Sequence, residues 1–124
     1  MEGLKGVRDR RKAKRRPLHL PLEYQMTQGP SLYGGLTLNA SELGLLIQSV
    51  KNLSIGTKLN VAVLFPKGFE LANFEVLAEI VWKDLHWEED WKGYKYGLKF
   101  LRMQNSDYQK LRELLENHHA LEEA

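Results

Sequence analysis

The sequence predicts an all-β domain closed by one C-terminal helix, and three observations predict it. Apolar and polar residues alternate at period two through a succession of short stretches between Leu18 and Met103, the pattern of half-buried strands. No stretch of helical periodicity interrupts them. Only beyond Met103 does the apolar spacing change to three and four residues, as an amphipathic helix requires. Six short strands in succession argue for a small antiparallel barrel or sandwich.

The first strand begins after Pro17, which disfavours helix at Arg16. Leu18, Leu20, Leu22, Tyr24 and Met26 alternate with His19, Pro21, Glu23 and Gln25, and Pro21 marks an edge or irregular strand. "TQGPSLYGG" reads as turn throughout. "LTLNASELGLLIQSV" reads as two strands hinged at "NASELG". In "TKLNVAVLFP" the inward face is Leu59, Val61, Val63 and Phe65. In "FEVLAEIVWKDL" it is Phe74, Val76, Ala78, Ile80 and Trp82. "HWEEDWKG" is a polar tip carrying Trp87 and Trp91, candidate partner-facing aromatics, and "YKYGLKFLRM" returns with Tyr94, Tyr96, Leu98 and Phe100 inward. Ser106 and Gln109 have capping-box spacing, so the helix is expected from about 106, with Tyr108, Leu111, Leu115 and Leu114 as its apolar stripe.

Composition bounds the function. At 124 residues the chain is one domain, and 43% hydrophobic residues suffice for a core of modest stability. Cysteine is absent, which removes disulfides, thiolate metal sites and cysteine nucleophiles. No apolar run approaches the roughly 18 residues that span a bilayer, and the basic start lacks the apolar stretch of a secretory signal. A cytoplasmic protein without membrane insertion is expected.

The net charge of +2 conceals a split. Residues 1–16 carry eight Lys/Arg against Glu2 and Asp9, a net +6, and the remainder is −4. The division expected is a flexible basic arm over 1–16 and a barrel with its closing helix over 17–120. Any anionic partner is met by the arm, because the body has no general attraction for polyanions. The adjacent His118 and His119 would point about 100° apart on a helix, and no nucleophile elbow occurs. The chain reads as a non-enzyme with no cofactor and no metal site.

"NASELG" has more chemical content. Asn39 offers an amide that donates and accepts, Ser41 follows two residues on, and Gly44 permits positive φ or close backbone approach. The arm holds Arg11 and Arg15 in R-x-x-x-R spacing, followed by a strand, a turn, a second strand and N-x-S-x-x-G. That order resembles the PilZ domain family of bacterial cyclic di-GMP receptors. "LPLEY", "LSIGTKLNVAV", "AEIVW" and "YGLKFLRMQNSDYQKLRELL" are similar to the family's further segments, from about residue 8 to residue 117.

The resemblance implies a six-stranded antiparallel barrel and a site for cyclic di-GMP, with Arg11 and Arg15 on guanine and phosphate and Asn39, Ser41 and Gly44 as the second motif. Arg10 would stack on a guanine. Arg16, at four-residue spacing from Lys12, leaves the register of the arginine motif open. The physics agrees: a guanidinium pairs bidentately with phosphate or guanine O6/N7 and stacks on purines. An arm ordered by ligand would be a switch read by a downstream protein partner. The alternatives are a β-barrel nucleic-acid-binding module, which the −4 body disfavours, and a PilZ-like adaptor acting through protein contacts without nucleotide.

Overall fold

The alternating stretches form a closed antiparallel barrel in the structure, a computed structural model that describes residues 14–88 and 91–117, with backbone alone at 86–88 and 91. Its strands are β1 (Arg16–Pro17), β2 (Pro21–Met26), β3 (Leu32–Ala40), β4 (Gly44–Ser49), β5 (Lys58–Lys67), β6 (Glu70–Glu88) and β7 (Trp91–Arg102), followed by α1 (Asn105–Glu116). Six long strands run in the order β3-β2-β5-β6-β7-β4, and β4 returns to pair with β3. Closure leaves these six without a free edge, the usual solution for a small all-β chain. The two-residue β1 pairs with β3 beyond the end of β2, Arg16 opposite Ala40 and Pro17 opposite Asn39.

The inward set is the one alternation predicts along most of the chain. Leu18, Leu20, Leu22 and Tyr24 are buried, as are Leu59, Val61, Val63, Phe65, Phe74, Val76, Ala78 and Ile80. Two phenols complete the core. The Tyr24 hydroxyl bonds the Ser49 hydroxyl at 2.8 Å. The Tyr96 hydroxyl donates to the Lys51 carbonyl at 2.6 Å and accepts from the Leu53 N–H at 2.8 Å, holding the β4–β5 loop down.

Four expectations need correction. First, "LYGG" is strand, not turn: a Cβ on Gly35 would stand 2.8 Å from the Gln48 carbonyl oxygen, so glycine is there for close packing of β3 on the neighbouring chain. Second, of the two readings of Pro21 the edge fails and the irregular strand holds, since the ladder is interrupted just before it. Pro21 opens β2, between β3 and β5, at the first strand position, where a missing donor is tolerated. Third, Trp82 faces outward and is 46% exposed. The β6–β7 register shifts between Ile80 and Trp82, and the inserted Val81 turns the next side chain over, as a bulge does. Fourth, Ser106 caps nothing. The N-cap is Gln104, with no side-chain cap bond, and Asp107 in the first turn instead accepts from the Glu75 N–H on β6 at 3.1 Å.

That bond, the Lys110 Nζ bond to the Asn73 carbonyl at 3.0 Å and the burial of Leu111, Leu114 and Leu115 seat α1 on the barrel.

Candidate functional site

Thr37 organises the segment that carries the arginines. Between β1 and β2 the chain leaves the regular ladder, and the buried Thr37 hydroxyl fills the break. It accepts from the Leu20 N–H at 2.8 Å and donates to the Leu18 carbonyl. Leu18 N–H donates to the Leu38 carbonyl at 3.1 Å, and Thr37 N–H to the Leu20 carbonyl at 2.8 Å. The chain entering the barrel is thereby fixed against β3 as far up as Arg16.

Strand alternation then separates the arginines. Arg16 lies opposite the buried Ala40, whereas Pro17 lies opposite Asn39 on the outer face. Arg15 shares that outer face, and its Nη1 donates to Asn39 Oδ1 at 2.9 Å. One of five guanidinium N–H groups is used in this bond, and the Asn39 amide keeps its NH2 as a donor. Arg10 and Arg11 lie outside the described residues.

Beyond Asn39 the chain turns tightly. Ser41 N–H donates to the Gly44 carbonyl at 2.9 Å, and Leu43 N–H donates to Ser41 Oγ at 3.1 Å. Ser41 is 3% exposed, so its hydroxyl shapes the turn from within. Phe100 N–H donates to the Leu43 carbonyl at 3.0 Å, fastening the turn to β7. At Gly44 a Cβ would stand 2.1 Å from the Leu98 carbonyl oxygen. Close approach of two backbones, and not a positive φ, requires this glycine. The structure thus brings Arg15, Asn39, Ser41 and Gly44 into one locality and turns Arg16 to the opposite face.

Alternation concealed one further residue. Asn39 pairs with Leu46, Leu46 with Gly97, and Gly97 with Trp82, making one cross-strand row on the outer face. A Cβ at Gly97 would lie 3.1 Å from Trp82 Cβ and 3.7 Å from its Cε3, so the indole covers Gly97. Two strand spacings, about 10 Å, separate this platform from Asn39. The signal in the sequence was Gly97 itself, an isolated glycine inside a strand pattern, which marks a bulge or a close approach.

The sequence model of the PilZ domain matches residues 9–117. The chain belongs to the PilZ domain family. Among curated proteins none matches it. Solved structures share the PilZ fold at low identity. MotI/DgrA, an inhibitor of motility from Bacillus subtilis, is 18% identical with a TM-score of 0.69 over 90% of this chain and 51% of its own. The PilZ domain of YcgR from Escherichia coli, solved with c-di-GMP, is 15% identical with a TM-score of 0.63 over 90% and 97%. The PilZ domain of CeSA from a cellulose-synthesizing bacterium is 15% identical with a TM-score of 0.59 over 86% and 99%. The chain therefore spans about half of MotI/DgrA and nearly all of the two isolated domains. No helix among the described residues is long and apolar enough to cross a membrane.

Proposed function

We propose that this PilZ domain is a receptor for cyclic di-GMP that acts as an adaptor, relaying occupancy to a protein partner without catalysis. The observation that carries the reading is the Arg15–Asn39 bond, which joins the arginine arm to the second motif on one outer face. A phosphodiester or a guanine edge placed there meets a guanidinium and an amide side by side, a combination suited to both. Trp82 offers an aromatic face along the same row, within the span of a dinucleotide, on which a purine can stack. The ligand named for the YcgR domain, c-di-GMP, has this chemistry.

Arg10 and Arg11 supply further cations from the arm. Because the chain is already seated at Arg15 and Arg16, the ligand's ordering effect falls on the residues before them. Charge-assisted contacts must there exceed the entropy of ordering. A fixed arm beside the barrel is a new surface for a partner.

Calorimetry with cyclic di-GMP tests the reading, with single-stranded DNA as the control. Saturable binding at about 1 μM, near 8 kcal/mol, is expected for the nucleotide and not for DNA. Arg15→Ala removes charge-assisted bonds of about 1.5–3 kcal/mol and should weaken binding about ten- to hundredfold without changing the thermal transition. No saturable heat at about 100 μM ligand, the regime near 5–6 kcal/mol, would overturn it.

A further inference from the structure

Glu42 stands inside the motif turn, between Ser41 and Leu43, and its side chain reaches the closing helix. Glu42 Oε1 lies 3.4 Å from Arg112 Nε. The Tyr108 phenol lies close enough to that carboxylate for the Glu42 charge to raise the phenol's pKa. Arg112 in turn lies over the Tyr108 ring, its guanidinium carbon 6.0 Å from the centroid. Tyr108 and Arg112 are four residues apart and share one edge of α1. The other attachments of α1 go elsewhere: its leucines into the core, and Asp107 and Lys110 to the backbone of β6. Burial first, and then the Glu42 charge, push the Tyr108 phenol above its ordinary pKa, so the phenol stays neutral beside the carboxylate at neutral pH.

The pair is too exposed for stability to be its purpose. Arg112 is 54% and Glu42 35% accessible, and surface ion pairs of this kind contribute little. Nor does the charge suit the turn, since a carboxylate beside a site for a dianion opposes binding by Coulomb's law. A carboxylate that opposes the ligand's charge, yet is paired with Arg112 and set beside Tyr108 on one helix edge, has a geometric role.

We propose that Glu42 is a positioning residue: through Tyr108 and Arg112 it fastens the Ser41–Gly44 turn to α1, so that occupancy of the site and docking of that helix edge form one coupled equilibrium. The identity of the ligand rests on the receptor reading above; the tie itself does not. Thermodynamic reciprocity then links the two ends. Whatever factor the helix attachment adds to ligand affinity, the ligand adds to the attachment.

Charge and position predict opposite signs, and this makes the proposal testable. Glu42→Ala removes a negative charge from beside the nucleotide, so electrostatics alone predicts tighter binding; loss of positioning predicts weaker binding. Tyr108→Phe changes no charge and nearly conserves shape, yet should also weaken binding. We expect each to weaken cyclic di-GMP by about three- to tenfold, at the low end of allosteric couplings, with the double variant no weaker than the stronger single one. In the ligand-free protein the Leu43 amide should exchange with deuterium faster in both variants, while amides of the β5–β6 ladder stay unchanged. Tighter binding by Glu42→Ala, or wild-type affinity and exchange in Tyr108→Phe, overturns the proposal. If the wild type binds no cyclic di-GMP, the receptor reading falls and the exchange arm decides alone: faster Leu43 exchange upholds the tie, and unchanged exchange removes it.

Discussion

Gly44 and Gly97 are both strand glycines with neighbours where a side chain would go, and the nature of the neighbour separates them. At Gly44 the obstacle is the Leu98 carbonyl oxygen at 2.1 Å, held in the β4–β7 ladder by the pairings of Leu45 with Leu98 and Gly44 with Lys99. Neither backbone can yield locally. Gly44→Ala should therefore destabilise by about 3 kcal/mol, the upper end of overpacking, which lowers Tm by more than about 10 °C in a domain of this size. At Gly97 the closest atom is Trp82 Cβ at 3.1 Å, a contact that a strand shift of a few tenths of an ångström beside the β6 bulge relieves. Gly97→Ala should cost about 1 kcal/mol, the lower end of that range, and should disturb the indole platform more than the fold. Thermal unfolding of the two variants checks the order, and equal losses would refute the distinction.

Among elements, β1 is the one whose attachment is not explained by its own length. Two residues make a poor strand, and the ladder between β1 and β2 is broken at Leu18–Leu20. The Thr37 hydroxyl closes the break with bonds to Leu20 N–H and the Leu18 carbonyl, at a site with 0% exposure. Thr37→Val keeps the shape and leaves those backbone groups unpaired and buried, which costs about 1–3 kcal/mol. The loss should be local: hydrogen exchange at Leu18 and Leu20 should accelerate, with amides of β5 and β6 little affected. Arg15 would then be presented less rigidly to Asn39. If exchange at Leu18 and Leu20 matched the wild type, the hydroxyl would not be the fastener of the arm.

At the scale of the molecule, the barrel closes around phenols that it holds neutral. Burial raises the pKa of both Tyr24 and Tyr96 from the ordinary 10.0, opposed in part by the Ser49 bond to one and the Leu53 N–H to the other. The sign follows from linkage. Above pH 10 the unfolded phenols lose protons while the folded ones retain them, so the unfolded state binds fewer protons and stability falls as pH rises. Below pH 10 their contribution is fully present. The urea midpoint should therefore hold between pH 7 and 9 as far as these groups are concerned, and drop as pH passes 10 towards the raised values. Tyr96→Phe should lessen that drop, and an undiminished drop would place its cause in other groups.

What the sequence by itself determined is whatever depends on period and local chemistry. Alternation named the inward residues of β2, β5, β6 as far as Ile80, and β7, because a closed barrel has one apolar interior and side chains change face at every residue; it assigned no inward face to β3 or β4. The order of the two motifs around a strand carried the family. Tertiary structure decided the places where two segments meet. Trp82 faces out because β6 holds one residue more than β7 across the bulge, a mismatch between strands that neither strand's own sequence displays. Gly35 reads as a turn residue in sequence but serves close packing against Gln48, and of the two readings of Gly44, positive φ or close approach, the contact with Leu98 selects the second. Ser106 has the spacing of a cap, yet the helix starts earlier, where Asp107 finds the Glu75 N–H. The selection of Arg15 over Arg16 likewise came from pairing: β1 meets β3 in a register that sets Asn39 opposite Pro17, and register is a relation between strands that side-chain period alone does not specify.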